Sequence, residues 1–262
     1  MLAMNYRGPL RVRIDEMPMP EVQHPDDAIV RVTRSCICGS DLHLYNGSVP
    51  DTRVGMTFGH EFTGTVEEVG SGVTKLKRGD HVLVPFNISC GKCVFCQQEL
   101  YGNCHESNPQ ATAVGGIYGY SHTAGGYNGG QAEYVRVPYA NVGPMVIPDW
   151  MDPDDAVLLT DVVPTGYQAA EMGGIQPGDT VAVFGAGPVG IMAARCAWLF
   201  GAARVMVFDC VITGWILSRS TRAARFMIFG RSEIRCCSSS ARPISWAPMF
   251  ASTRWARKQP AI

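Results

Sequence analysis

The chain has 262 residues, of which 46% are hydrophobic and 17% charged, and its formal net charge is −1. This composition is typical of a soluble globular protein, and the near-neutral charge gives no indication of a nucleic-acid partner. The most apolar stretch, 181–208, is interrupted by arginines and glycines, so we expect no membrane span. The first residues contain no apolar run suited to secretion, and ten cysteines with metal-like spacing favour a reducing cytoplasm.

The first 146 residues are predicted to form short strands joined by glycine-rich loops. The candidate strands are rich in β-branched residues, are bounded by Pro, Gly or Asp, and cover 11–14, 28–32, 62–66, 81–84 and 131–137. This pattern favours a compact, barrel-like β domain. From Pro153 the residue pattern becomes typical of helices, and the length of the chain is compatible with two domains.

A cluster of four cysteines lies inside this β region. Cys90, Cys93 and Cys96 are each separated by two residues, and Cys104 follows after seven more. Four thiols at this spacing can surround one tetrahedral ion and leave no open position, which indicates a structural zinc site. The alternative is a set of buried or disulfide-bonded cysteines.

A dinucleotide-binding pattern begins at residue 180. The apolar strand 180–184 leads directly into a glycine turn and an apolar helix, and a second strand, 204–208, is followed by an acid. The candidate cofactor residues are Gly185, Gly187, Pro188, Val189, Gly190 and Asp209. Glycines permit close approach of the backbone to a pyrophosphate, and a carboxylate after the second strand can bind ribose hydroxyls. The acid would repel a 2′-phosphate, so we expect NAD rather than NADP; the alternative is a glycine turn without a ligand.

Taken together, these motifs resemble those of the zinc-dependent medium-chain alcohol dehydrogenases over residues 1–209. The resemblance rests on the segments 38–43, 59–61, 90–104, 161–166 and 185–190, which occur in the order found in that family. Asp161 and the segment 85–91 are similar to the branch that contains glutathione-independent formaldehyde dehydrogenases. The resemblance implies an α/β fold with a GroES-like β-barrel catalytic domain at 1–164 and a partial Rossmann domain, a doubly wound parallel sheet, at 165–210.

The resemblance also implies roles for residues that spacing alone would not connect. Cys38, His60 and Asp161 are expected to hold a catalytic zinc, with Glu61 close to the metal. Ser40, the ribose of the cofactor and His43 are expected to relay a proton in that order. Thr165 is expected to contact the nicotinamide portion of NAD. The implied reaction converts an alcohol to an aldehyde or ketone by hydride transfer to NAD, and homo-oligomers are usual in the family. The alternative is that Asp161 is a helix-surface acid and Cys38 a buried thiol.

The last 52 residues differ in character from the rest of the chain. Residues 1–210 contain 13 basic and 22 acidic residues, whereas 211–262 contain nine basic residues and one acid. The segment is rich in Arg and Ser and has no sustained helical or strand periodicity. We hypothesise that 211–262 is an aberrant or disordered tail, for example an out-of-frame translation, which would leave the cofactor domain incomplete. The alternative is a divergent functional terminus that binds nucleic acid through its arginines.

Two other functional hypotheses stay open at the level of sequence. The first is a non-catalytic remnant that keeps both metal sites without turnover. The second is a zinc-free reductase of the same superfamily, and the complete ligand sets argue against it.

Overall fold

The computed structural model describes residues 1–111 and 114–209, together with two short strands at 225–228 and 249–252. The remainder of the predicted tail at 211–262 lies outside the described residues. The chain divides into two compact units, Met1–Asp161 and Val162–Ile262. No helix among the described residues has both the length and the apolar character needed to cross a bilayer.

The first unit consists mainly of short antiparallel strands. Its strands are β1 (Leu2–Tyr6), β2 (Val12–Glu16), β3 (Ala28–Ser35), β4 (Phe62–Val69), β5 (His81–Val84), β6 (Asn87–Ile88), β7 (Gly116–Ile117), β8 (Tyr134–Val137) and β9 (Met145–Val146). Its helices are α1 (Gly39–Tyr45), α2 (Val94–Gln97) and α3 (Pro153–Ala156), supplemented by three 3-10 turns at 101–103, 122–124 and 157–160.

The centre of this unit is a five-stranded sheet in the order β8-β3-β4-β5-β9. Val30 of β3 lies between Val66 of β4 and Val135 of β8, and all three side chains are buried. Phe62 packs edge-on against Tyr118, with ring centroids 5.4 Å apart. Apolar residues therefore line one face of the sheet, as expected for strands with one buried side. The two other sheets of the unit are the hairpin β1-β2 and the antiparallel pair β6-β7, whose strands are separated by the segment that contains α2.

The second unit contains the predicted strand, turn, helix and strand. Its elements are α4 (Val162–Met172), β10 (Thr180–Phe184), α5 (Pro188–Leu199), β11 (Arg204–Asp209), β12 (Arg225–Ile228) and β13 (Met249–Ser252). β10 and β11 are parallel, with Val181 opposite Val205 and Val183 opposite Val207. These four valines are buried with alanines of α4 and α5, because the pleat directs alternate residues of each strand to one face.

The edges of this parallel pair carry the two short strands of the C-terminal region. β12 pairs in parallel with β11, and β13 pairs antiparallel with β10, which gives the strand order β12-β11-β10-β13. The predicted strand at 180–184 has the observed bounds, and the helix after it ends at Leu199.

Candidate functional site

The four cysteines of the 90–104 segment converge on one point. Cys90 follows β6, Cys93 is the N-cap of α2, Cys96 lies in α2, and Cys104 follows the 3-10 turn 101–103. The Sγ atoms of Cys90 and Cys96 are 4.0 Å apart, those of Cys93 and Cys104 are 3.9 Å apart, and all four lie within 4.8 Å of one another. Tetrahedral zinc with bonds of about 2.3 Å places its sulfurs about 3.8 Å apart. All four are free thiols, so the set fits a structural zinc.

Backbone N–H groups around this cluster favour thiolates. Burial opposes ionisation of Cys93, but hydrogen bonds from the backbone of Cys96 and His105 outweigh it and lower the pKa of this thiol to about 6. The backbone N–H groups of Lys92 and Cys93 also donate to Cys90 Sγ at 3.4 and 3.3 Å. Such donors stabilise the charge that a metal-binding sulfur must carry.

A buried serine anchors the end of the cysteine lobe. Ser107 donates from Oγ to the carbonyl of Cys104 at 3.0 Å and accepts from the backbone N–H of Gly116 at 2.8 Å. Tyr127 donates its hydroxyl to the Ser107 carbonyl at 2.7 Å. Neither residue is predicted from the sequence, because an isolated Ser or Tyr in a loop carries no spacing signal.

The second group of candidate ligands also comes together. Cys38, His60, Glu61 and Asp161 each offer one donor atom, and these atoms lie within 4.8 Å of one another. His60 Nε2 is 3.2 Å from Asp161 Oδ2 and 3.9 Å from Glu61 Oε1. Cys38 caps α1, His60 and Glu61 immediately precede β4, and Asp161 lies between the last 3-10 turn and α4. The fold thus joins residues more than 100 positions apart.

The charge balance of this second group favours a cation. His60 is only 4% exposed. Burial lowers the pKa of its imidazole, but hydrogen bonds with Asp161 and Cys38 and the charge of Asp41 outweigh this and raise it to about 10. Burial and the like charge of Asp161 raise the pKa of Glu61. A buried set of one sulfur, one imidazole and carboxylates therefore demands positive charge, and its donor types fit zinc with three protein ligands.

Asp41 supports His60 from the other side of the imidazole ring. Its Oδ1 faces His60 Nδ1 at 3.8 Å, and neither atom has a hydrogen-bond partner among the described residues. Its Oδ2 accepts from the backbone N–H of Cys38 at 2.8 Å, which completes a capping box at the start of α1. A carboxylate behind a metal-binding imidazole orients the ring and raises its basicity. Asp41 was not among the residues predicted from the sequence, although an acid three residues after a helix cap is a recognisable signal.

The predicted relay residues lie on the same short helix. Ser40 is in the first turn of α1, and its Oγ is 3.2 Å from His60 Nε2. His43 lies one turn further along α1 and is partly exposed. The hydroxyl of Ser40 is therefore next to the candidate ligands, and both Ser40 and His43 are partly exposed.

The predicted cofactor residues form a strand-to-helix turn in the second unit. Gly185 follows β10 with φ of +100°, Gly187 caps α5, and an added Cβ at either position would meet nothing within 4 Å. A Cβ at Gly190 would lie 2.0 Å from the Gly185 carbonyl oxygen, so only glycine fits there. Pro188 and Val189 open α5, and Asp209 ends β11, where its Oδ2 accepts from the Ala186 N–H at 2.6 Å. Open space at a helix N-terminus fits a pyrophosphate. Thr165 lies in α4.

Comparison with known proteins identifies the family. Residues 24–149 match the model of the alcohol dehydrogenase GroES-like domain. A medium-chain reductase/dehydrogenase from Acremonium sp is 36% identical over 217 residues, which cover 80% of this chain and 70% of that protein. The chain belongs to the zinc-dependent medium-chain alcohol dehydrogenase family. This match confirms the predicted family and the predicted GroES-like and Rossmann-type fold class.

Two further medium-chain dehydrogenases resemble this chain over most of its length. The glutathione-independent formaldehyde dehydrogenase of Pseudomonas aeruginosa is 44% identical over 214 residues, which cover 78% of this chain and 53% of that protein. The structure of the alcohol dehydrogenase TADH from Thermus sp. ATN1 matches with a TM-score of 0.80 and 39% identity, over 87% of this chain and 63% of that one. The chain spans about half the length of the curated relatives it matches, 53% to 57% for three of them.

Proposed function

We propose that this protein is a zinc-dependent oxidoreductase that transfers a hydride from an alcohol to NAD and forms an aldehyde or ketone. The observation that carries the proposal is the convergence of sulfur, imidazole and carboxylate donors from Cys38, His60 and Asp161 within 4.8 Å. Three protein ligands leave one coordination position for substrate, whereas the four sulfurs at 90–104 leave none.

In this proposal the two donor sets have separate tasks. Cys38, His60 and Asp161 would hold the catalytic ion, and Cys90, Cys93, Cys96 and Cys104 would hold a structural one. When bound, zinc supplies Lewis-acid stabilisation of the alcohol oxygen, and NAD supplies the hydride acceptor. Glu61 lies close enough to this donor set to exchange with a ligand, because its carboxylate oxygen is 3.9 Å from His60 Nε2.

The alcohol proton must leave a buried site, and α1 offers a route. The Oγ of Ser40, 3.2 Å from His60 Nε2, would accept the proton from the substrate hydroxyl as its own hydroxyl proton passes on toward solvent. His43, one turn along the same helix and partly exposed, would pass the proton to solvent. Asp41 would hold the His60 ring in place throughout.

The cofactor residues support NAD as the hydride acceptor. The open turn at Gly185 and Gly187 would accommodate the pyrophosphate, and Asp209 at the end of β11 would bind ribose hydroxyls and disfavour a 2′-phosphate. Thr165 would contact the nicotinamide portion. We further propose a small alcohol or aldehyde as substrate, since the Pseudomonas relative is named for formaldehyde, and a cytoplasmic location because free thiols need a reducing compartment.

Metal content and turnover, measured together, test the proposal. We expect two zinc ions per full-length chain and NADH formation with small alcohols. Cys38→Ala should lose one ion and all turnover, and Cys93→Ala should lose the other ion. Two zinc ions without turnover on any alcohol would instead indicate a non-catalytic zinc protein. Activity that survives exhaustive chelation would indicate a zinc-free reductase.

A further inference from the structure

A glutamine outside both donor sets joins the segments that carry the candidate catalytic ligands. Gln131 precedes β8, and its Nε2 donates to the Cys36 carbonyl and to Asp41 Oδ2, each at 3.1 Å. Cys36 is two residues before the ligand Cys38, and Asp41 faces the ligand His60. One amide group thus contacts the backbone leading to one ligand and the carboxylate supporting another.

The chemistry of its partners fixes the orientation of this amide. A carbonyl and a carboxylate only accept hydrogen bonds, so the NH₂ group of Gln131 must point toward both. Its Oε1 is buried and has no hydrogen-bond partner among the described residues. An unsatisfied buried oxygen is unfavourable. Its presence indicates that the NH₂ contacts offset this cost.

The backbone of Gln131 is equally constrained. Its N–H donates to the Phe58 carbonyl at 2.9 Å, and its own carbonyl accepts from the Met4 N–H at 2.9 Å. Gly59, the residue before His60, packs directly on it, since an added Cβ there would lie 2.6 Å from both Cγ and N of Gln131. The glutamine therefore contacts the segment 58–59, which leads into His60, as well as the segments that contain Cys36 and Asp41.

We propose that Gln131 is a positioning residue for the catalytic metal site. By holding Asp41 behind His60 and fixing the carbonyl of Cys36, it sets the directions of two ligands that are 22 positions apart in the chain. This inference rests on the proposed function, in which Cys38, His60 and Asp161 bind zinc. Outer partners of metal ligands act on metal affinity and activity without touching the ion.

Metal release from the full-length chain tests this role without relying on turnover. With Co²⁺ in both sites, the one-thiolate and four-thiolate sets absorb differently, so transfer of each ion to a chelator can be followed separately. We expect Gln131→Met, which removes both donors, to release the ion of the Cys38 set about 10-fold faster than the parent chain. Gln131→Glu, which replaces the donor by an acceptor, should release it faster still. Release from the four-cysteine set should not change.

The control and a coupling measurement separate positioning from general loosening. Gln176→Met removes an exposed amide that donates to the Ile175 carbonyl at 3.1 Å and should release both ions at the parent rates. If Gln131 acts through Asp41, adding Gln131→Met to Asp41→Asn should accelerate release by much less than the product of the single effects. Independent, multiplying effects would contradict that connection.

Several outcomes would overturn the proposal. Parent-like release in both Gln131 variants, or equal acceleration at both sites, would show that the glutamine does not position the ligands. A parent chain that binds only the four-cysteine ion would refute the proposed function, and this inference with it. Two ions in the parent chain and unchanged release in the variants would refute only the role of Gln131. Should Gln131→Met fail to fold by circular dichroism, Gln131→Glu, which preserves side-chain size, gives the same comparison.

Discussion

Replacing Gly59 by alanine probes the close contact behind His60. Gly59 has φ of +99°, and an added Cβ would lie 2.6 Å from the backbone N and from Cγ of Gln131. A positive φ costs an L-residue about 1 to 2 kcal/mol. Forcing an atom into a packed site adds about 1 to 3 kcal/mol. Gly59→Ala should therefore lower the free energy of unfolding by about 2 to 5 kcal/mol.

Gly79 provides a matched control for this substitution. Its φ is +94°, but an added Cβ would meet nothing within 4 Å. Gly79→Ala should therefore cost only the backbone part, about 1 to 2 kcal/mol. Urea unfolding of the zinc-loaded proteins, followed by circular dichroism, gives both values under one condition. Equal losses of stability in the two variants would refute the argument that Gly59 is required by its contact with Gln131.

Two further substitutions test parts of the first unit away from the candidate catalytic ligands. Asp27 is 1% exposed and pairs with Arg136 at 2.9 Å. Asp27→Ala should therefore lower the free energy of unfolding, measured in urea, by about 2 to 4 kcal/mol. The control Asp26→Ala, at a partly exposed neighbour, should lower it by less than about 1 kcal/mol. A loss at Asp27 no larger than at Asp26 would contradict the importance of the buried pair. Ser107→Ala removes the hydrogen bond to the Cys104 carbonyl. Loss of zinc from the four-cysteine set, measured by chelator competition, should become several-fold faster. An unchanged rate of zinc loss would show that this hydrogen bond is dispensable.

Local patterns were sufficient to predict two strands and one cluster of candidate ligands. The bounds of β5 and β10 agree with the sequence analysis, because alternating β-branched residues end there at a proline, a glycine or an aspartate. The four cysteines could be assigned to one cluster because they lie within 15 residues. The Cys38, His60 and Asp161 set was predicted only through resemblance to a family.

Long-range hydrogen bonding explains where strand bounds departed from the pattern. β3 was predicted to end at residue 32 but continues to Ser35, because an irregular register at Val32 to Arg34 lets polar residues keep pairing with β4. The strand predicted at 131–137 begins as β8 only at Tyr134, since Gln131 instead bonds to Phe58 and Met4. These partners lie 27 to 127 positions away and cannot be read from local composition.

Asp41 and Gln131 show the same limit at the candidate site. Asp41 lies within the 38–43 motif but at no ligand position, and Gln131 lies outside every motif identified in the sequence. Their positions behind His60 depend on the pairing of β3 with β4 and β8, which brings the start of α1 against the segment before β8. Only the folded chain shows their contacts with the segments that carry the candidate metal ligands.

The two donor sets differ in how much of the polypeptide must be synthesised before they exist. The cysteines from 90 to 104 close a short loop, whereas the second set joins positions 38 and 161. Closing the longer loop costs about 2 kcal/mol more in chain entropy. In the proposed function, a nascent chain has all four ligands of the cysteine site once residue 104 leaves the ribosome, but it lacks a ligand of the second site until residue 161 follows. Binding of an ion by the second set would therefore require the whole first unit, which ends at Asp161, to have been synthesised.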